Sequence, residues 1–190
     1  MYFFYRNKAK GATFPHAYIT HDGNSIKVRL NLSRPLKVKA GQYIGLWMPT
    51  FGFSSFLQSH PFTVTSWSEG EQYYLDLFIE PRKGLTQKLL TRSHAYQKLL
   101  EERGTNEKLE DGTAIPNSSL SCLAFFSGPH GTSIPVGDYE TVLLIASGFG
   151  IASQLPYLKQ LIYGYNACKT RNRRVHLVWQ LETLGKPQLD

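Results

Sequence analysis

One stretch of the chain, in which a run of apolar residues passes directly into a glycine-bearing turn, constrains the fold most strongly. Residues 142–146 are all apolar, the turn 147–150 reads Ser-Gly-Phe-Gly, and an amphipathic helical pattern then runs to about Tyr163. An uninterrupted apolar strand is typical of a parallel sheet that is buried on both faces. Gly164 predicts the end of the helix, and the apolar residues 175–181 predict a second strand. The pattern therefore predicts one βαβ unit.

The turn of this unit has the chemistry of a dinucleotide site. Glycine between a buried strand and a helix lets backbone N–H groups and the helix dipole meet a pyrophosphate. The turn carries only two of the three glycines of the usual pattern, so a purely steric role for glycine stays open. A basic cluster near the second strand favours a 2′-phosphate, as in NADPH, whereas Glu182 disfavours one. The cluster comprises Arg171, Arg173 and Arg174.

The pattern of strands and turns in the chain before this unit is typical of an all-β domain with one helix. Polar and apolar residues alternate, and turn-forming residues separate the apolar runs. The predicted strands are residues 25–32, 43–48, 60–67, 73–79 and 120–126. A helix is predicted over residues 86–102, and the polar residues 103–118 are predicted to form a variable loop. The predicted fold class is an antiparallel β-barrel of Greek-key type with one helix, followed by a truncated α/β parallel-sheet domain.

Composition excludes several classes of protein. A hydrophobic fraction of 42% and an aromatic fraction of 13% indicate a globular core. The net charge of +7 lacks the aromatic-basic interleaving of nucleic-acid binding, so no nucleic-acid partner is expected. Cys122 and Cys168 lack zinc-ligand spacing, and the histidines show no paired helical spacing, so no metal or haem site is predicted in this chain. No apolar run approaches the ~20 residues of a membrane helix.

Two further segments have residue types that suit a flavin nucleotide. Residues 60–63, His-Pro-Phe-Thr, offer an aromatic face and hydrogen-bonding groups for a flavin ring. Residues 82–86, Arg-Lys-Gly-Leu-Thr, place two cations and a glycine ahead of a helix, with Thr86 as its N-cap, and so suit a phosphate. Taken alone, the first segment is equally a strand start with a buried aromatic. The second is equally a capped helix after a charged turn.

The order of these segments carries a resemblance to a known family. Residues 41–43 (Gly-Gln-Tyr), 60–63, 82–86, 128–131 (Gly-Pro-His-Gly) and 148–151 (Gly-Phe-Gly-Ile) follow one another in this order. This order resembles the ferredoxin–NADP reductase superfamily, and more closely the cytosolic part of fungal ferric reductases and NADPH oxidases. The resemblance runs from about residue 12 to residue 182. It implies an FAD-binding barrel over residues 13–137 and the N-terminal part of an NAD(P)-binding domain over residues 138–190. Residues 1–12 would be a membrane-exit segment or a tail.

The resemblance also implies roles for individual residues. The residues that would contact the flavin are His60, Pro61, Phe62 and Thr63. Those that would hold the FAD pyrophosphate are Arg82, Lys83, Gly84 and Thr86. Those that would meet the nicotinamide nucleotide are Gly148, Gly150 and Ile151, with Trp179 and Gln180 near its adenosine side. No catalytic proton-transfer residue is implied, because the family's chemistry belongs to the two cofactors.

The function that the resemblance implies is a flavin-dependent oxidoreductase module, which passes electrons from NADPH or NADH through FAD. In the family the acceptors are ferric or cupric chelates, and haem lies only in a membrane domain. The helices of that domain would precede Met1, and the rest of the nucleotide domain would follow Asp190. We therefore expect a fragment of a membrane enzyme, cytosolic by itself, that binds FAD better than NADPH. A soluble NAD(P)H–flavin reductase and a non-catalytic FAD-binding remnant stay open as alternatives.

Overall fold

Antiparallel strands build the first two thirds of the molecule. The computed structural model describes Asn7 and residues 14–51, 58–102 and 119–181. The strands are β1 (His16–Asp22), β2 (Ser25–Leu36), β3 (Tyr43–Trp47), β4 (His60–Thr63), β5 (Gln72–Ile79), β6 (Leu120–Leu123) and β7 (Phe125–His130). One sheet has the order β5-β2-β1-β6 and the other the order β4-β3-β7. A bridge between Val64 and Leu77 joins the two sheets, so the strands form the predicted barrel.

The alternation of polar and apolar residues gives each strand one inward face. Ile26, Val28 and Leu30 of β2 are at most 1% exposed, and their neighbours in sequence face outward. β1 and β2 pair from Asp22 with Ser25 onward, across a two-residue turn. Gly23 takes the first place in this turn with φ 55°, a conformation that suits glycine. The predicted strand over residues 25–32 is confirmed and extends to residue 36.

The last barrel strand differs from the prediction of one strand over residues 120–126. β6 pairs with β1, whereas β7 pairs with β3 in the other sheet. The chain crosses between the sheets at Ala124, whose N–H donates to the Pro15 carbonyl at 3.1 Å. Cys122, Ala124 and Phe126 all point inward. Because the alternation continues unbroken through the crossing, the sequence pattern alone does not reveal it.

Helix α1 (Leu85–Glu102) covers one end of the barrel and confirms the helix that the sequence predicts. Leu85 and Leu89 are buried in the barrel core. The Ser93 side chain is 1% exposed, and its hydroxyl lies 2.8 Å from Nδ1 of His21 on β1. The predicted loop over residues 103–118 lies outside the described residues. So does the chain start over residues 1–12, apart from Asn7.

The remainder of the described chain is the predicted βαβ unit. Its elements are β8 (Thr141–Ser147), α2 (Ile151–Asn166) and β9 (Arg174–Gln180). The two strands are parallel, with Thr141 opposite Arg174 and Ser147 opposite Gln180.

The expectation that β8 is buried on both faces is wrong. Val142 and Leu144 pack beneath α2 against Leu161, but Leu143 and Ile145 are 58% and 64% exposed. Helix α2 covers one face of β8, and nothing in the described part of the chain covers the other. The uninterrupted apolar run therefore supplies one sheet face that packs on α2 and a second face that no other described residue covers.

Gly164 does not end the helix, contrary to the sequence prediction. α2 continues to Asn166, and Gly164 is buried in its last turns. The chain after the helix folds back, so that the Lys169 N–H donates to the Gly164 carbonyl at 2.8 Å. A Cβ atom on residue 164 would overlap Cγ2 of Thr170. The glycine therefore allows the returning chain to approach the helix closely.

We predict that Gly164→Ala lowers the free energy of unfolding by about 1–3 kcal/mol, because the added methyl group overpacks this contact. In a Thr170→Ser background, which removes Cγ2 but leaves Oγ1 at 3.0 Å and Cβ at 3.2 Å from the added methyl group, the same change should cost less. The helix propensity of alanine, worth about 1 kcal/mol over glycine, offsets part of the remaining cost. Urea unfolding of the four variants measures this difference.

Gly70→Ala is the matched control, because a Cβ atom there would have no neighbour within 4 Å. An equal loss for Gly164→Ala in both backgrounds would contradict the proposed contact.

Candidate functional site

The predicted nicotinamide-site residues come together at the carboxyl ends of β8 and β9. The indole Nε1–H of Trp179 donates to the Gly148 carbonyl at 2.9 Å. Gln180 lies opposite Ser147, directly before the glycine turn. Gly148 has φ 46°, and Ile151 begins α2. The turn, the helix N-terminus and the end of β9 therefore share one edge of the sheet, where ligands of open α/β sheets bind.

The glycine turn also contacts the barrel. The ring of Phe149 stacks on Phe78 of β5, with ring centroids 5.0 Å apart and an interplanar angle of 20°. Phe78 points outward because its neighbours Leu77 and Ile79 point into the barrel core. This contact places the turn directly against the outer wall of the barrel. Neither ring is among the predicted site residues, and the alternation of β5 is the signal that Phe78 faces outward.

A cleft of about 540 Å³ opens beside this contact, between the barrel and the start of α2. Ile151 and Trp179, both predicted site residues, line it from one side. Thr65, Asp76 and Phe78 line it from the barrel side, and none of them was predicted. The cleft is therefore shared by both units of the chain.

An ion pair fixes the polar part of the barrel side of this cleft. Arg29 Nε lies 2.7 Å from Asp76 Oδ1, and Arg29 Nη2 lies 3.1 Å from Asp76 Oδ2. The guanidinium also lies over the Tyr74 ring, 4.5 Å from its centroid. The hydrogen bond that Arg29 donates to Asp76 raises the pKa of Arg29 above its ordinary value. Arg29 therefore stays charged at neutral pH, and two parallel hydrogen bonds hold the pair in one geometry.

The segment His60–Thr63 forms β4, next to the cleft but outside its lining. Pro61 is exposed, whereas His60 and Thr63 are half-buried. Phe62 is half-buried as well and packs against the barrel core opposite Ile44. β4 ends at residue 63, earlier than the predicted residue 67. Beyond it the chain stays attached to β5, since the Thr65 N–H donates to the Asp76 carbonyl at 2.8 Å.

The segment 82–86 lies at the N-terminus of α1. The Arg82 N–H donates to the Thr86 hydroxyl at 2.7 Å, and that hydroxyl donates to the Arg82 carbonyl at 2.9 Å. The expectation that Thr86 is the N-cap is wrong, because α1 begins at Leu85 and Thr86 closes the turn before it. Gly84 has φ 92°, which suits glycine.

The start of α1 fits an anionic group such as the FAD pyrophosphate. Its first turn contains no acidic residue, so its free N–H groups and the helix dipole are not offset there. The space beside Gly84 is open, because a Cβ atom there would have no neighbour within 4 Å. Lys83 is exposed beside it, whereas the Arg82 guanidinium pairs with Glu80 at 2.8 Å. Lys83 is therefore the cation most available to a ligand at this place.

The basic cluster does not lie at the nucleotide edge, so the argument that it favours a 2′-phosphate is wrong. Arg174 begins β9, whereas Gln180 ends it beside the glycine turn. At about 3.3 Å per residue these two ends lie roughly 20 Å apart. Arg171 and Arg173 precede Arg174 and lie at the same remote end, where Arg173 faces Glu140 at 3.8 Å. Glu182 lies outside the described residues.

Across residues 14–51, 58–102 and 119–181, no group of three His, Cys, Asp or Glu side chains is arranged to hold a metal ion. Burial raises the pKa of the Cys122 thiol to about 12, so it stays protonated at neutral pH. No helix in the described part of the chain is long and apolar enough to span a membrane.

Comparison with known proteins agrees with this geometry. Residues 12–134 match the family described as FAD-binding domain, and residues 139–186 match the ferric reductase NAD binding domain. The fold and these matches therefore define a module made of an FAD-binding domain and the start of an NAD-binding domain. The chain belongs to the ferric reductase and NADPH oxidase family.

Individual relatives are similar at low identity. Ferric/cupric reductase transmembrane component 2 of Schizosaccharomyces pombe is 29% identical over 173 residues, which cover 77% of this chain and 29% of that protein. Mouse NADPH oxidase 1 is 24% identical over 185 residues, covering 96% of this chain and 26% of that protein. The chain thus spans less than a third of these relatives. The solved ferredoxin reductase in carbazole 1,9a-dioxygenase superposes with a TM-score of 0.58 at 14% identity, over 88% of this chain and 42% of that one, and shows the fold.

We predict that Phe149→Ala loosens the glycine turn without unfolding the barrel. A stacked aromatic pair contributes about 0.5–1.5 kcal/mol. Amide hydrogen exchange in residues 148–152 should therefore become about two- to tenfold faster. Phe78→Ala should have the same effect, and the double variant should add little to either single change, because both remove one contact. Fully additive effects would show that the two rings do not support each other.

Proposed function

We propose that this chain is the electron-delivering module of a ferric-chelate reductase. It would take electrons from NADPH, or from NADH, through FAD to a ferric or cupric chelate. The stacking of Phe149 on Phe78 is the observation that carries the proposal, because it holds the nucleotide turn against the flavin barrel. A hydride donor and its acceptor need this proximity, and positioning is the main contribution that a protein makes to such a reaction.

FAD would bind along the barrel between β4 and the start of α1. In this proposal Lys83 and the N–H groups beside Gly84 hold the pyrophosphate, with Arg82 and Thr86 shaping the turn. His60, Pro61, Phe62 and Thr63 would contact the flavin portion from β4. The Val64–Leu77 bridge supports this assignment, because it connects the end of β4 with the strand that leads to α1. Phe62, anchored in the core, would offer the part of its ring that is not buried.

The reduced nicotinamide nucleotide would bind at the glycine turn. Gly148, Gly150 and the N-terminus at Ile151 would meet its phosphates, since the first turn of α2 contains no acidic residue. Trp179 already donates its indole N–H to Gly148, so it would present its ring to the nucleotide, with Gln180 beside it. We favour NADPH on family likeness alone, because the basic cluster lies at the other end of β9.

The chemistry that FAD supplies when bound is the conversion of one two-electron hydride transfer into separate one-electron transfers. The residues of this chain would bind the two cofactors, orient them towards each other and exclude water. The names of relatives such as the Schizosaccharomyces pombe ferric/cupric reductase support ferric and cupric chelates as the acceptors. That name also designates a transmembrane component, so we propose that the chain acts at a membrane surface, joined to a membrane part. The family matches support a boundary between the two units near residues 134–139.

Ferrous iron formation from a ferric chelate tests this function. The chain with added FAD and NADPH should produce ferrous iron without oxygen, and omission of either cofactor should abolish it. We predict that Lys83→Gln raises the FAD concentration for half-maximal activity about three- to tenfold, because a cation beside a phosphate contributes around 1 kcal/mol. Lys98→Gln is the matched control, since Lys98 is an exposed lysine near the other end of the same helix.

An equal shift for the two lysine variants would contradict the placement of the pyrophosphate at the start of α1. Production of ferrous iron at the same rate without added FAD, by a chain shown to carry no flavin, would contradict the function itself.

A further inference from the structure

Glu69 joins the barrel to the βαβ unit at a second contact, at the opposite end of α2 from the stack of Phe149 on Phe78. It lies in the turn before β5, and the Ser68 hydroxyl braces this turn by donating to the Gly70 carbonyl at 3.1 Å. Lys169 Nζ donates to Glu69 Oε1 at 2.5 Å, and the Tyr163 hydroxyl donates to Oε2. Both carboxylate oxygens of a barrel residue are thus bound by the nucleotide unit, one from α2 and one from the chain after it.

The residues on either side of Glu69 extend this contact. Lys159 Nζ donates to the Thr65 carbonyl at 2.9 Å, and the rings of Trp67 and Tyr163 lie 5.5 Å apart. Thr65, Trp67 and Glu69 are alternate residues of the chain between β4 and β5, and Lys159 and Tyr163 lie four residues apart, about one turn, on α2. The contact therefore involves one face of α2.

The position of this contact links it to the candidate site. The segment with Thr65, Trp67 and Glu69 continues directly from β4, which carries His60–Thr63. Helix α2 begins at Ile151 and reaches Tyr163 after twelve residues, about 18 Å along its axis. Between these ends the Tyr157 hydroxyl accepts the Ile134 N–H at 3.2 Å. The helix is thus held at its middle and near its end, and a tilt of the end would displace the glycine turn at its start.

We propose that Glu69 is a positioning residue, which sets the approach of the nucleotide turn to the flavin barrel by fixing the far end of α2. The kinetic consequence rests on the proposed function, whereas the structural consequence does not. The group is charged at neutral pH, because the hydrogen bonds from Lys169 and then Tyr163 lower the pKa of Glu69. The Glu69 and Lys169 side chains are 48% and 53% exposed, so salt weakens their ion pair.

Glu69→Gln removes the charge with little change of shape, and Glu71→Gln is the matched control, because Glu71 is an exposed carboxylate in the same turn. Hydrogen exchange is read at the Thr65 and Lys169 amides, which lie on the two sides of the contact. We expect about two- to fivefold faster exchange at both amides in Glu69→Gln at low salt, and wild-type exchange in Glu71→Gln. At 1 M salt the wild type should approach Glu69→Gln.

The charge-swapped variant, Glu69→Lys with Lys169→Glu, should recover at least half of the wild-type protection, because it restores the ion pair. In the FAD-loaded chain, Glu69→Gln should also slow flavin reduction by NADPH about two- to fivefold while leaving the FAD affinity unchanged. A structural weakening of the barrel would instead lower the FAD affinity.

Equal exchange in Glu69→Gln and Glu71→Gln would overturn the proposal, and so would a charge swap that recovers no protection. Absence of flavin reduction in the wild type would overturn the proposed function, and the exchange data would still decide the role of Glu69.

Discussion

The apolar interior of the barrel is the constraint on which the rest of the structure depends. Leu75, Leu77 and Ile79 are each at most 3% exposed. Because side chains alternate along a strand, burying these three directs Asp76 and Phe78 outward, onto the wall that faces the nucleotide unit. A shift of one residue in the register of β5 would turn both site residues into the core. The geometry of the candidate site is thus a consequence of how the core is packed.

The two units meet along one seam, and each end of the seam has a different chemistry. At the front, an aromatic stack and a shared cleft bring the glycine turn to the barrel. At the back, a carboxylate with two donors ties the turn before β5 to the far end of α2. The apolar contact excludes water from the front of the seam, whereas the exposed ion pair fixes orientation and adds little stability.

Much of the fold could be predicted from sequence, because alternation and the glycine turn are local signals. The strand over residues 25–32, the helix after residue 85 and the parallel pair of β8 and β9 follow from such signals. The crossing at Ala124 could not be predicted, since the inward alternation is unbroken there. The burial of Gly164 against Thr170 could not be predicted either, because it depends on where the returning chain runs.

The order of short sequence segments along the chain predicted some residues of the candidate site, but it did not predict the barrel residues that they face. The order of short segments indicated Ile151 and Trp179, yet Phe78 and the ion pair of Arg29 with Asp76 arise from register between distant strands. Arg174 is close in sequence to the predicted nucleotide residues Trp179 and Gln180, but it is not close to Gln180 in space. It begins the seven-residue strand that Gln180 ends, and the two ends of such a strand lie far apart.

If the glycine turn and the flavin barrel act as one electron-transfer module, NADPH should reduce the FAD that the chain binds. Anaerobic mixing of the FAD-loaded chain with NADPH, followed at the flavin absorbance band, measures this reduction. We expect the band to bleach at a rate that rises with NADPH concentration into the millimolar range, because we expect FAD to bind more tightly than NADPH. A band that stays unbleached at every NADPH concentration, while FAD remains bound to the chain, would contradict it.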